Sequence, residues 1–187
     1  MNKSNCTYIV GLGNPLPKYN FTPHNLGFIF VDQILLRDPN ATPLKVKEQQ
    51  AWKTGKYIVS KPTTYMNLSG KAIRELFKYS KLSAQEFVRA LLVVHDDIAL
   101  PMHTMRLKDG KENPGLGGHN GLRSIVAEFQ HLGLKQQEAP NFHRLRLGCK
   151  PENTNSDLAT YVLTSMSKDD ITKWLETIDI YISDNTQ

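Results

Sequence analysis

Cysteine is almost missing from this sequence. Cys6 and Cys149 are the only two in 187 residues. Two thiols cannot build a dense disulfide framework or a zinc site made of cysteine alone. Long apolar runs are missing too. The stretch Ala90-Leu91-Leu92-Val93-Val94 is among the longest, whereas a spanning helix needs about 20 apolar residues. Residues 1–10 hold one lysine and a brief apolar stretch, which is not a signal-peptide pattern. The expectation is a cytoplasmic protein with no membrane segment and two reduced, strand-borne thiols.

What is present is enough for a folded core, with 40% hydrophobic and 22% charged residues. The net charge is +5 and unevenly spread. Residues 1–102 carry 13 Lys/Arg against 7 Asp/Glu, residues 103–150 carry 8 against 4, and residues 151–187 carry 2 against 7. Four of the six histidines, His103, His119, His131 and His143, lie in the middle segment. A basic body with an acidic end suits a polyanionic partner on the first 150 residues, although a merely soluble basic protein reads the same way.

Strand and helix signals alternate, without repeats or low-complexity linkers, which predicts an α/β fold. Residues 7–12 read as a first strand, closed by Gly11-Leu12-Gly13-Asn14-Pro15. Thr22-Pro23 reads as an N-cap followed by proline at the first helical position, with a helix to about Leu36. Residues 57–60 predict a short strand. Leu68, Ala72, Ile73, Leu76 and Phe77 follow helical spacing, and Ser83 with Glu86 fits a capping box. Residues 90–94 read as a buried strand ending at His95-Asp96-Asp97. Leu122, Ile125, Val126 and Phe129 form another helical stripe, and residues 142–148 alternate as a strand. Ser167 with Asp170 caps an acidic last helix, about residues 167–183, with the stripe Ile171, Trp174, Leu175, Ile178 and Ile182.

Four polar clusters fall at strand ends or helix starts: residues 14–25, Tyr65-Met66-Asn67, His95-Asp96-Asp97 and Gly117-Gly118-His119-Asn120-Gly121. Open α/β sheets form sites outside the carboxyl ends of their strands. Gly11-Leu12-Gly13 lacks the third glycine of a dinucleotide fingerprint, because Leu16 stands there. Residues 115–121 lack the Lys-Ser/Thr ending of a P-loop. No serine or cysteine sits in a nucleophile elbow. A metal site at His95, Asp96, Asp97 and His119 is disfavoured, because the surrounding Asn14, Asn25, Asn67 and Asn120 are poor transition-metal ligands. Neutral amides suit a substrate's carbonyl and N–H groups. His24, near a helix start, can act as a neutral general base. Asp96 can hold the other ring N–H of that histidine. Water activated by His24 is therefore favoured over a covalent intermediate.

Together these segments resemble the bacterial-type peptidyl-tRNA hydrolase family. The resemblance rests on Gly11-Leu12-Gly13-Asn14-Pro15 with Tyr19 and Thr22-Pro23-His24-Asn25-Leu26-Gly27-Phe28, then on Lys61-Pro62-Thr63-Thr64-Tyr65-Met66-Asn67-Leu68-Ser69-Gly70. It continues in His95-Asp96-Asp97-Ile98-Ala99-Leu100-Pro101 with Gly117-Gly118-His119-Asn120-Gly121-Leu122, and in Phe142-His143-Arg144-Leu145-Arg146-Leu147-Gly148. These come in family order from Thr7 to about Leu163. The resemblance implies one catalytic domain over residues 1–187, a twisted mixed sheet flanked by helices in a three-layer sandwich. It implies a cofactor-free and metal-free monomer that needs no protein partner and cleaves the ester of peptidyl-tRNA. It implies His24 as base, Asp96 as its orienting carboxylate, and Asn14, Asn67 and Asn120 holding the peptide and the reacting carbonyl. Tyr19, Tyr65, Met66 and His119 match other cleft positions, and Lys108 with Arg146 matches a clamp on the tRNA 5′-phosphate. Leu16, Pro23, Ala99, His103 and residues 109–116 depart from the family pattern. The rival readings are a non-catalytic RNA-binding protein on the same fold and a deacylase for another aminoacylated substrate.

Overall fold

A strand buried on both faces must be apolar at successive positions, and Tyr8–Gly11 (β1) is buried at all four. The computed structural model describes residues 7–110, 115–135, 141–151 and 157–185. Cys6 and part of the 109–116 loop lie outside the described residues. Strand β1 pairs in parallel with Tyr57–Pro62 (β4) on one side and Leu91–Asp97 (β5) on the other. His143–Gly148 (β7) continues the parallel set beside β5. Thr42–Leu44 (β2), Gln49–Thr54 (β3) and Met105–Lys108 (β6) add antiparallel edges. The seven strands run β2-β3-β4-β1-β5-β7-β6. The mixed α/β sheet is as expected, but β2, β3 and β6 were not foreseen from sequence.

Helices cover both faces. Leu26–Arg37 (α1) and the long Lys168–Asn185 (α6) pack on one side. There Leu26, Phe30 and Val31 meet Trp174 and Ile178 over Leu92, Val94 and Leu145. On the other side lie Ser69–Ser80 (α2), Ala84–Ala90 (α3) and Asn120–His131 (α4). Ile73, Leu76, Phe87, Ile125 and Phe129 pack there against Val10, Leu91 and Val93. The Ser83–Glu86 capping box forms as expected, with both reciprocal bonds made. Ser167 accepts from the Asp170 N–H at 3.1 Å, opening α6. Leu158–Tyr161 (α5) is a single short turn. Cys149 follows β7 and is buried, and that burial pushes its thiol pKa up. No described helix is long and apolar enough to cross a membrane.

Two expectations need correction. The helix after Thr22 does not start there: Pro23–Asn25 forms a 3-10 turn, and α1 begins at Leu26. Thr22 makes no side-chain cap. Its hydroxyl donates to the Tyr19 carbonyl, and the His24 N–H that a cap would satisfy goes to the Val162 carbonyl at 3.0 Å. Strand β5 also runs on through His95, Asp96 and Asp97 instead of ending before them. Alternation along β5 therefore sends His95 to the α4 side and Asp96 to the α1 side.

Candidate active site

The site forms where β1 and β5 end. It depends on unusually close backbone approach. A Cβ on Gly11 would lie 2.0 Å from the Gly27 carbonyl oxygen, and one on Gly27 would lie 2.5 Å from the Val94 carbonyl oxygen. Only glycine lets α1 settle this far down on the two strands. Asn25 then clips the loop: its Oδ1 accepts from the Asn14 N–H at 2.8 Å, and its Nδ2 donates to the Asn14 carbonyl at 3.0 Å. Asn25 is 1% exposed, so its amide is structural.

This clip brings the His24 ring to the end of β5. His24 Nδ1 lies 2.9 Å from Asp96 Oδ1. His119 Nε2 lies 2.9 Å from the same oxygen. The protonation of His119 is fixed by its other nitrogen. His119 caps α4, and its Nδ1 accepts from the N–H groups of Gly121 (3.1 Å) and Leu122 (3.4 Å). An accepting Nδ1 carries no proton, so Nε2–H donates to Asp96. Asp96 is acceptor-only when ionised, so His24 donates through Nδ1–H and keeps a lone pair on Nε2. Burial alone would raise the Asp96 pKa. The His119 and His24 rings outweigh it and hold the carboxyl well below the usual carboxylate range.

His24, Asp96 and His119 hold three donor atoms within 4.8 Å of one another, a spacing a metal ion can use. The helix cap argues against it here. A metal on His119 Nε2 would place the ring proton on Nδ1, facing the two backbone N–H groups that Nδ1 now accepts from. The arrangement fits a hydrogen-bond network instead.

Around the triad is a cleft of about 400 Å³, lined by His24, Asp96, Gly118, His119 and Asn120, with a wall of Leu158 and Ala159 in α5 and Val162 and Leu163 just after it. Asn14 is buried, and its Oδ1 accepts from the Met66 N–H at 2.9 Å. Only its Nδ2 donors remain for a ligand. Met66 is 4% exposed, and its sulfur would lie 2.5 Å from a Cβ on Gly121. Its place is in the core, locking its turn to α4, with the backbone N–H holding Asn14. Tyr65 and Asn67 are exposed on that turn and Asn120 is exposed at the start of α4. Tyr19 is half-buried, with Lys18 Nζ 5.2 Å from its ring centre.

The two basic residues come from β6 and β7, beyond β5. Arg106 pairs with Arg146 and Lys108 with Arg144 across β6 and β7, so all four share one face of the sheet. Lys108 and Arg146 are diagonal neighbours there, about 7–8 Å apart, a span two long side chains can close on one phosphate. Arg146 Nε donates to Asp97 Oδ2 at 2.6 Å.

Sequence reasoning missed the α5 wall. The signal was Asp157 three residues before Thr160, whose carboxylate caps this turn through the Ala159 and Thr160 N–H groups. His95, read from the sequence only as a possible metal ligand, has a different place. That ring is buried, donates from Nδ1 to the Asp96 carbonyl at 2.7 Å, and leaves Nε2 without a partner among the described residues. Burial, with the His119 ring beside it, pushes its pKa down to about 3.

A family profile for peptidyl-tRNA hydrolase matches residues 8–184. The chain belongs to the peptidyl-tRNA hydrolase family. It is 36% identical to the peptidyl-tRNA hydrolase of Citrifermentans bemidjiense over 91% of this chain and 85% of that one. It is 36% identical to that of Geobacter sulfurreducens over 91% and 82%. The crystal structure of peptidyl-tRNA hydrolase from Acinetobacter baumannii superposes with a TM-score of 0.79 at 30% identity, covering 98% of this chain and 88% of that one. The family and fold expected from the sequence motifs are thus borne out.

Proposed function

We propose that this chain hydrolyses the ester between a peptide and tRNA, with His24 as general base. The observation that carries this is the shared Asp96 oxygen. His119 cannot change tautomer without losing its helix cap, so it anchors Asp96, and Asp96 in turn fixes His24 with its lone pair on Nε2. A water on Nε2 gives up its proton as its oxygen attacks the ester carbonyl. The carbonyl oxygen becomes an oxyanion, for which the Nδ2 groups of Asn14 and Asn120 are the donors in this reading. Collapse breaks the ester C–O bond. The proton on His24 then passes to the leaving ribose oxygen, and Asp96 stabilises the imidazolium in between.

The α5 wall and Asn67 supply contacts for the peptide, with Tyr19 and Tyr65 at the rim. Lys108 and Arg146 engage the tRNA 5′-phosphate from the β6–β7 face. In this reading the chain is a single catalytic domain that works as a metal-free, cofactor-free monomer. It needs no protein partner and acts in the cytoplasm, where translation releases its substrate. A non-catalytic RNA-binding role is not favoured, because such a role has no use for a base held by an anchored carboxylate.

The test is incubation with N-acetyl-aminoacyl-tRNA and with unblocked aminoacyl-tRNA, each with and without EDTA. Release from the blocked substrate alone, insensitive to EDTA, is the expected result. His24→Ala should lower kcat by about 10²–10⁴-fold with much less effect on binding. Near-normal turnover by that variant would falsify the assignment of the base.

A further inference from the structure

Arg146 is not a free cation waiting for phosphate. Its Nε is committed to Asp97 Oδ2 at 2.6 Å, and both side chains are largely shielded, at 19% and 14% exposure. The other Asp97 oxygen accepts from the Ala99 N–H at 2.8 Å. The Asp97 backbone is fixed as well, its carbonyl accepting from the Cys149 N–H at 3.0 Å and the Leu100 N–H at 3.3 Å. Asp97 is thus a rigid acceptor at the end of β5, next to Asp96.

A guanidinium is a planar fork with five N–H groups. Holding it by Nε fixes the plane and leaves both terminal nitrogens free of any bond among the described residues. Two terminal nitrogens in a fixed plane are what bidentate phosphate recognition requires. Asp97 also carries a negative charge, which by itself repels phosphate. The two effects have opposite signs, so their balance can be measured.

We infer that Asp97 is a positioning residue for phosphate recognition, orienting Arg146 so that its terminal nitrogens meet the tRNA 5′-phosphate. The inference rests on the phosphate reading of Arg146 given above. Orientation outweighs repulsion here, because Arg106, Lys108 and Arg144 on the same face keep the region basic whether or not Asp97 is charged. Binding energy spent on ordering a loose side chain is saved when the side chain is already held.

Asp97→Asn tests this without changing size. Ala99 N–H and Arg146 Nε–H both need an acceptor, and an asparagine offers one oxygen, so one of the two bonds goes unmade. The readout is the ratio of kcat/KM on 5′-phosphorylated N-acetyl-aminoacyl-tRNA to that on the same substrate with a 5′-hydroxyl. Partial unfolding cancels in this ratio. Asp97→Asn should lower the preference about three- to tenfold, through KM and not kcat. Arg146→Ala sets the floor. A preference that rises in Asp97→Asn shows that Asp97 competes with phosphate and overturns the inference. An unchanged preference, with Arg146→Ala at the floor, overturns the inference while leaving the phosphate reading intact. A preference intact in Arg146→Ala overturns both.

Discussion

Asp96→Asn is a sharp test, because the geometry fixes how much it should cost. In a histidine–aspartate pair, an amide usually harms most by turning its NH₂ toward the ring and forcing the wrong tautomer, a loss of about 10⁴-fold in the serine-protease precedent. That route is blocked here. His119 Nε2–H needs an acceptor on the very oxygen that receives His24, because Nδ1 of His119 is held by Gly121 and Leu122. The introduced amide should therefore keep its oxygen toward both rings and preserve the His24 tautomer. What disappears is charge. A unit charge pair about 4 Å apart is worth about 4 kcal/mol at an effective dielectric constant of 20, which sets a ceiling of about 10³-fold. Replacing a charged hydrogen bond by a neutral one suggests about 1–2 kcal/mol, or about 5–30-fold. We expect kcat/KM on N-acetyl-aminoacyl-tRNA to fall between these bounds, near 10²-fold. Adding His119→Ala removes the lock and lets the amide turn, so the double variant should approach 10⁴-fold, more than the product of the two single losses. A loss of 10⁴-fold in Asp96→Asn alone, or simple multiplicativity in the double variant, refutes the lock.

Three further outcomes are expected. Neutralising Lys108 or Arg146 should weaken tRNA binding and flatten the log–log salt dependence by about 0.7–0.9 for each phosphate no longer engaged, measured by titration across ionic strengths. Asn67→Ala should shrink the kcat/KM ratio of blocked over unblocked aminoacyl-tRNA, because a cleft matched to the amide loses its discrimination with that partner. A ratio that stays constant while both rates fall places selectivity elsewhere. His95 is buried neutral, with its pKa down at about 3, so below pH ~6.5 the unfolded chain takes up a proton that the folded chain refuses. Its contribution to stability should fall by about 1.4 kcal/mol per pH unit between those values, and urea unfolding of His95→Asn should show a correspondingly flatter pH slope from pH ~6 to ~4.5.

The residues of the site were legible in the chain because each sits beside a strong local signal. Gly11 to Asn14 follows a buried apolar strand, His24 follows Thr22-Pro23, Asp96 ends the apolar run from Leu91, and His119 opens the Leu122–Ile125–Phe129 stripe. Local periodicity and turn chemistry are properties of a few neighbouring residues, so they survive without a tertiary context. The antiparallel strands β2, β3 and β6 gave no such signal. Thr42-Pro43-Leu44 and Met105-Arg106-Leu107-Lys108 are short and half polar, and they become strands only because β3 and β7 present ladders to pair with. The same limit applied within the site. Sequence offered Asn14, Asn25, Asn67 and Asn120 as four equivalent amides. Packing divided them into a structural clip at Asn25, a donor-only group at Asn14 and two exposed side chains. The sequence by itself determined the polar groups His24, Asp96, His119 and Asn120 that line the cleft, but not its apolar wall. The tertiary structure alone decided which nitrogen of each histidine carries the proton, because that depends on a helix cap, a carboxylate and a ring brought together from residues 24, 96 and 119.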